Sequence, residues 1–122
     1  MKIQQALATI QKELKAPKGQ YNAFGKYAYR SCEDILTALK KLLEQTETVL
    51  ILNDEVVNIG SRYYVKATAT LSNGEETISA TAYAREEEIK KGMDGSQITG
   101  ASSSYARKYA LNGLFGIDDT QD

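Results

Sequence analysis

The chain has 122 residues, 42% hydrophobic and 25% charged, with a formal net charge of −1. That length suits one domain with a buried core. With no histidine and one cysteine, the composition excludes His-based catalysis, His-ligated zinc and a Cys-type zinc site built by a single chain.

Residues 3–14 place Ile3, Ala6, Leu7, Ile10 and Leu14 at helical spacing, which predicts an amphipathic helix ended by Pro17 and Gly19. The next stretch, "YNAFGKYAYRS", holds Tyr21, Phe24, Tyr27 and Tyr29, four of the ten aromatic residues in the chain. It reads as extended, with Phe24, Lys26, Ala28 and Arg30 on one side and Tyr27 and Tyr29 on the other. Ser31 has the form of an N-cap with Asp34 as a capping-box partner. Ile35, Leu36, Leu39, Leu42 and Leu43 then make the apolar stripe of a second helix, with Cys32 as a small packing residue near its start.

Three strands follow. "TVLILNDEVV" is β-branched and apolar and is expected to be well buried. In "SRYYVKATATL", Tyr63, Val65, Ala67, Ala69 and Leu71 alternate with Arg62, Tyr64, Lys66, Thr68 and Thr70. "SNGEE" is a hairpin turn with positive φ at Asn73-Gly74. "TISATAYAR" turns Ile78, Ala80, Ala82 and Ala84 to the core, and Tyr83 and Arg85 away. Arg62, Lys66 and Arg85 thereby fall on one exposed sheet face. Residues 86–96 are charged and punctuated by glycine, and read as a mobile connection. A last helix is expected from about Gln97 to Phe115, ending at Gly116.

The element order is therefore α, extended, α, β, β, β, α. It predicts an α+β domain over 1–116: a three-stranded antiparallel meander plus a short extended segment, packed against helices. Residues 117–122 form an acidic tail. No apolar run approaches membrane-spanning length, and the N-terminus carries no secretory leader.

Charge is unevenly placed. Residues 1–30 carry Lys2, Lys12, Lys15, Lys18, Lys26 and Arg30 against Glu13 alone, a net +5, whereas 31–60 are net −4. The aromatic-basic stretch has two readings: rings packing a hairpin onto the second helix beside solvated cations, or a nucleic-acid strip in which cations meet phosphates and tyrosines stack. It is not a phosphate loop, because five residues separate Gly19 from Gly25 and Tyr27 follows Lys26.

The last helix has only two charges, Arg107 and Lys108, and by helical angle looks buried nearly all round, Tyr105 and Tyr109 included. Its first turns, Gly100 to Ser104, are small and able to hold an anion. Arg107 and Lys108 must reach water, phosphate, or an acid of the 31–60 region.

Two stretches carry a resemblance. "NAFGKYAYRSCEDIL" and "QITGASSSYARKYALNGLFGIDD" are similar to the two ends of the ERF family, the phage essential recombination function proteins, across the whole chain and in the right order. Ala101 stands where Ser is common, and Lys108 where Arg is usual. Family members continue past "GIDD", so the chain reads as a trimmed N-terminal domain.

The resemblance implies an ATP-independent protein without cofactor or metal, in the cytoplasm of a bacterial host, that anneals complementary single strands of DNA. Its fold would be the core of the strand-annealing ring proteins, assembled as a homo-oligomeric ring or helical array. A missing tail would recruit a host single-strand binding protein. The resemblance makes Arg107 and Lys108, the cationic pair on the long helix after the meander, the first phosphate contacts, with Lys26 and Arg30 beside them, Arg62, Lys66 and Arg85 second, and Tyr27, Tyr29 and Tyr105 stacking or positioning.

Competing readings are a double-stranded RNA-binding module, a protein-interaction domain and a metal-dependent nuclease. The first lacks the lysine cluster at the start of the last helix. The nuclease lacks carboxylates on the outward strand positions.

Overall fold

A computed structural model describes residues 1–86 and 95–118, the side chains of 95–99 excepted. Helix α1 spans Ile3–Glu13 and turns Ile3, Ala6 and Ile10 into the core. Helix α2 spans Cys32–Gln45 and buries Cys32, Ile35 and Leu39.

The capping box at the start of α2 is complete. The Asp34 amide donates to Ser31 Oγ at 3.1 Å, and the Ser31 amide donates to Asp34 Oδ2 at 2.8 Å. These bonds, to the backbone first, hold the Asp34 carboxyl below its ordinary range. Burial pushes the Cys32 thiol up, which suits a packing residue.

Before α2, strands β1 (Gln20–Asn22) and β2 (Tyr27–Tyr29) form a separate hairpin with Asn22 opposite Tyr27. The expected continuous extended stretch is therefore broken at residues 23–26, where Lys26 takes φ 54. Phe24 lies at the tip instead of alternating with Ala28 and Arg30. Among the described residues, this hairpin meets another helix or strand through one weak hydrogen bond, Gln20 Nε2 donating to Asp34 Oδ1 of α2 at 3.4 Å. Of the two readings of this segment, close packing of its rings onto the second helix is not the arrangement found, since Phe24 and Tyr27 are exposed.

Strands β3 (Val49–Ile59), β4 (Arg62–Ser72) and β5 (Thr77–Arg85) form an antiparallel meander in sequence order. Gly60, at φ 64, opens the two-residue loop left by the Ile59–Arg62 pair, and Gly74 at φ 96 supplies the positive φ of the second turn. Asn73 does not share that conformation, and its side-chain oxygen instead accepts from the amides of Glu75 and Glu76.

One sheet face carries Val65, Ala67, Ala69 and Leu71 of β4, fully or almost fully buried, with Ile78, Ala80, Ala82 and Ala84 of β5 packed against the same core. The alanines leave room for helix α3 (Gly95–Phe115), which lies over β4 and β5 and buries Ala106, Ala110, Leu111, Leu114 and Phe115. Among the described residues, no helix lies over the opposite face. There, hydroxyls pair across the ladder, Thr70 with Ser79 at 2.9 Å and Thr68 with Thr81 at 3.3 Å.

Two expectations fail on exposure. β3 is an edge strand with one covered face, so Val49 and Ile51 on its other face are exposed, and so is Val56, which lies opposite Val65 on the covered side; none is well buried. α3 is covered on one side only, so Tyr105 and Tyr109 face outward and stack on each other with ring centroids 6.4 Å apart. The expected mobile connection lies mostly outside the described residues, as does the end of the acidic tail.

Candidate nucleic-acid interface

The hairpin is short, but its turn is built. Asn22 Oδ1 accepts from the Gly25 amide at 2.9 Å, and Asn22 Nδ2 donates to the Tyr27 hydroxyl at 3.1 Å. The Tyr27 ring lies close over the turn, so any side chain at Gly25 would have to displace it. Tyr27 and Tyr29 meet with centroids 6.0 Å apart. Tyr21, Phe24, Lys26 and Tyr27 are all exposed.

The foot of the hairpin is fixed by Arg30, which is only 8% exposed. Its Nε donates to the Ala16 carbonyl at 2.6 Å and one terminal nitrogen to the Asp118 carbonyl at 3.0 Å. The guanidinium thus ties the chain before the hairpin and the chain after α3 to the hairpin's exit. Gln11 on α1 adds a bond to the Leu114 carbonyl at 2.9 Å.

Between hairpin and body lies a cavity of about 670 Å³. Its walls include Lys18, Tyr21, Lys26, Tyr27 and Arg30, and its floor includes Phe115 and Ile117. This brings together three residues expected from the sequence, Lys26, Tyr27 and Arg30, with two that were passed over, Lys18 and Tyr21. Tyr21 lies inside the conspicuous aromatic stretch and was legible there. Lys18 sits among the cations before it.

Arg107 is committed elsewhere. It reaches Asp54 on the covered face of β3, its Nε donating to both carboxylate oxygens at 3.0 Å and a terminal nitrogen lying 2.9 Å from Oδ2. Ser103, one turn earlier on α3, donates to the same carboxylate. Of the two readings of this cation, pairing with an acid of the 31–60 region is the arrangement found. Lys108 beside it is half-buried, and Tyr105 is exposed on the outer side of α3.

Burial pushes the Asp54 carboxyl up, but the hydrogen bonds from Arg107 and Ser103 and the guanidinium charge outweigh it, so its pKa lies below the usual 3.8. Its own hydrogen bonds to Asp54, outweighing burial, hold Arg107 above its ordinary value. A depressed folded-state pKa contributes stability that is present above the unfolded value and is lost as pH falls through the folded one. Thermal unfolding of wild type is therefore expected to lose stability below about pH 4, and Asp54→Asn to flatten that acid limb.

The third set of cations is on the other side of the molecule. Arg62, Lys66 and Arg85 project from the uncovered sheet face, where Tyr64 is opposite Arg85 and Lys66 lies between Glu55 and Tyr83. They share one face as expected, but the sheet separates them from α3, so one subunit does not gather all the candidate cations in a single groove. Among the described residues, no three His, Cys, Asp or Glu side chains are grouped to hold a metal ion, and no helix is long and apolar enough to cross a membrane.

The model of the ERF superfamily matches residues 3–122. The Essential recombination function protein of Salmonella phage P22 is 66% identical over 116 residues, which cover 95% of this chain. They cover 56% of that relative, so the chain spans about half its length. No solved structure matches the chain. With the family model covering almost every residue, and two-thirds identity to a phage protein of that name, the chain belongs to the ERF superfamily.

Proposed function

We propose that this domain binds single-stranded DNA and anneals complementary strands without ATP, as part of phage homologous recombination. The observation that carries the reading is the hairpin and its cavity, which exposed Tyr21, Lys26 and Tyr27 line together with Lys18, Arg30, Phe115 and Ile117. Cations beside aromatic rings suit a strand whose phosphates are neutralised and whose bases stack without being read.

Annealing needs the sugar-phosphate backbone held and the Watson–Crick edges left open, so contacts should favour backbone over sequence. Lys26 ranks first for phosphate, because it is exposed, on the cavity wall and at the turn. Arg30 presents positive charge to the cavity while fixing the hairpin. Arg107 acts mainly through Asp54, setting α3 against β3, with Lys108 and Tyr105 beside it as a second contact region. Tyr29 packs beside Tyr27. Arg62, Lys66 and Arg85 on the far sheet face would meet DNA only where the strand passes between subunits.

A ring or helical array of copies repeats these few cations into a continuous track, which accommodates a net charge of −1 per chain. The partners are single-stranded DNA, further copies of the chain and a host single-strand binding protein, in the bacterial cytoplasm. No bond is made or broken.

The test is annealing of two complementary labelled oligonucleotides without ATP or Mg²⁺. The expected result is acceleration that weakens as salt rises and is lost on charge reversal by Lys26→Glu. Absence of acceleration together with absence of single-strand binding would refute the reading.

A further inference from the structure

Phe24 is fully exposed, at 100% of its reference surface, on a turn whose geometry is fixed on both sides. Two other rings of the segment have local partners: Tyr27 lies over Gly25 and bonds Asn22, and Tyr29 packs against Tyr27. Tyr21, on β1, is 65% exposed, and Phe24 is the one ring held out at the tip.

The charge around it points to one kind of occupant. From Leu14 to Cys32 there are four cations, Lys15, Lys18, Lys26 and Arg30, and no acid. Lys26 lies two residues from the ring and forms part of the same turn. A phenyl ring has no donor or acceptor, so it can cover the face of any base while leaving the pairing edge untouched. An apolar ring beside a lysine, on a segment with no acid, suits a polyanion with flat apolar faces better than a protein surface, which would need acids and an apolar hollow together.

We infer that Phe24 is a base-stacking wedge: its ring enters between successive bases of a single strand whose phosphates are held by Lys26 and its neighbours. The inference rests on the single-strand-binding reading above. It adds that the bound strand is interrupted at the hairpin tip, so bases are offered for pairing in short stacked runs with their edges outward.

The chain contains no tryptophan, so Phe24→Trp places a lone reporter at the tip, where full exposure makes it harmless to folding. Binding is followed in parallel by anisotropy of a labelled oligothymidylate. The expected result is Trp quenching of about twofold or more at saturation. Phe24→Ala should weaken binding about 5- to 150-fold, the cost of removing one base–aromatic stack. Its salt dependence should stay that of wild type, since every cation is kept.

Oligonucleotide binding with unchanged Trp emission overturns the wedge and leaves the single-strand-binding reading standing. A blue shift that grows with protein concentration without DNA overturns it in favour of a contact between copies. Absence of binding by wild type removes both.

Discussion

Phe115→Ala is expected to destabilise the domain by about 3–5 kcal/mol, the cost of removing a buried aromatic ring and leaving a void. Phe115 is 2% exposed and closes the last turn of α3, packed in the same core as Ile10, Ile35 and Leu39. Its ring also floors the cavity under the hairpin. Deletion would therefore enlarge a space that already exists. Thermal unfolding followed by circular dichroism checks this, with a fall in Tm on the order of 10 °C or more. Phe115→Leu should recover more than half of the loss, because it keeps most of the apolar volume. Equal losses for Ala and Leu would mean that ring shape, not buried volume, sets the cost.

Arg30→Ala should cost about 2–3 kcal/mol and, separately, loosen the hairpin. The figure follows from two charge-assisted hydrogen bonds to carbonyls that would be left without their donor. One bond holds Ala16, ahead of the hairpin, and the other Asp118, beyond α3. Removing the guanidinium therefore detaches both ends of the cavity wall at once. Arg30→Lys should recover less than half, since a single ammonium cannot reproduce the planar fork that spans two acceptors. Hydrogen exchange at the hairpin amides is the second readout: it should speed up in both variants, while the β4–β5 amides keep their relative protection. Unchanged hairpin exchange in Arg30→Ala would show that the hairpin is held by something other than this residue.

Much of the architecture was legible because it depends on local pattern. The Ser31–Asp34 box is a three-residue spacing, and the alternation over 62–72 is a two-residue period, so both survive any tertiary arrangement. The alanines on β5 were read correctly as core positions, and they let α3 approach. What went unread depends on neighbours distant in sequence. Apolar β-branched content marks β3 as a strand but cannot say that it lies at an edge. The angular reading of α3 could not tell a covered side from an open one, so Tyr105 and Tyr109 were assigned to the interior.

The site was half legible for the same reason. The stretch from Tyr21 to Ser31 was conspicuous, yet an alternating pattern was carried through Gly25-Lys26, where the chain turns and Lys26 adopts a left-handed φ that few non-glycine residues take. That turn sends Phe24 outward instead of onto α2. The partner of Arg107 lies 53 residues away on another element. Local sequence showed only the excess of acid between 31 and 60, and not the identity of Asp54.

If the hairpin and the cavity beneath it hold the phosphates of a single strand, the salt dependence of oligonucleotide affinity must differ between wild type and Lys26→Asn. Asparagine removes the charge and tolerates the left-handed backbone at this position. Binding by Lys26→Asn should be weaker, with the slope of log affinity against log salt reduced by about 0.7, because one phosphate is no longer neutralised. Stability should stay within about 0.5 kcal/mol of wild type. A Lys26→Asn variant with unchanged affinity and unchanged slope, in a protein that otherwise binds single strands, would place the phosphates elsewhere and contradict the account.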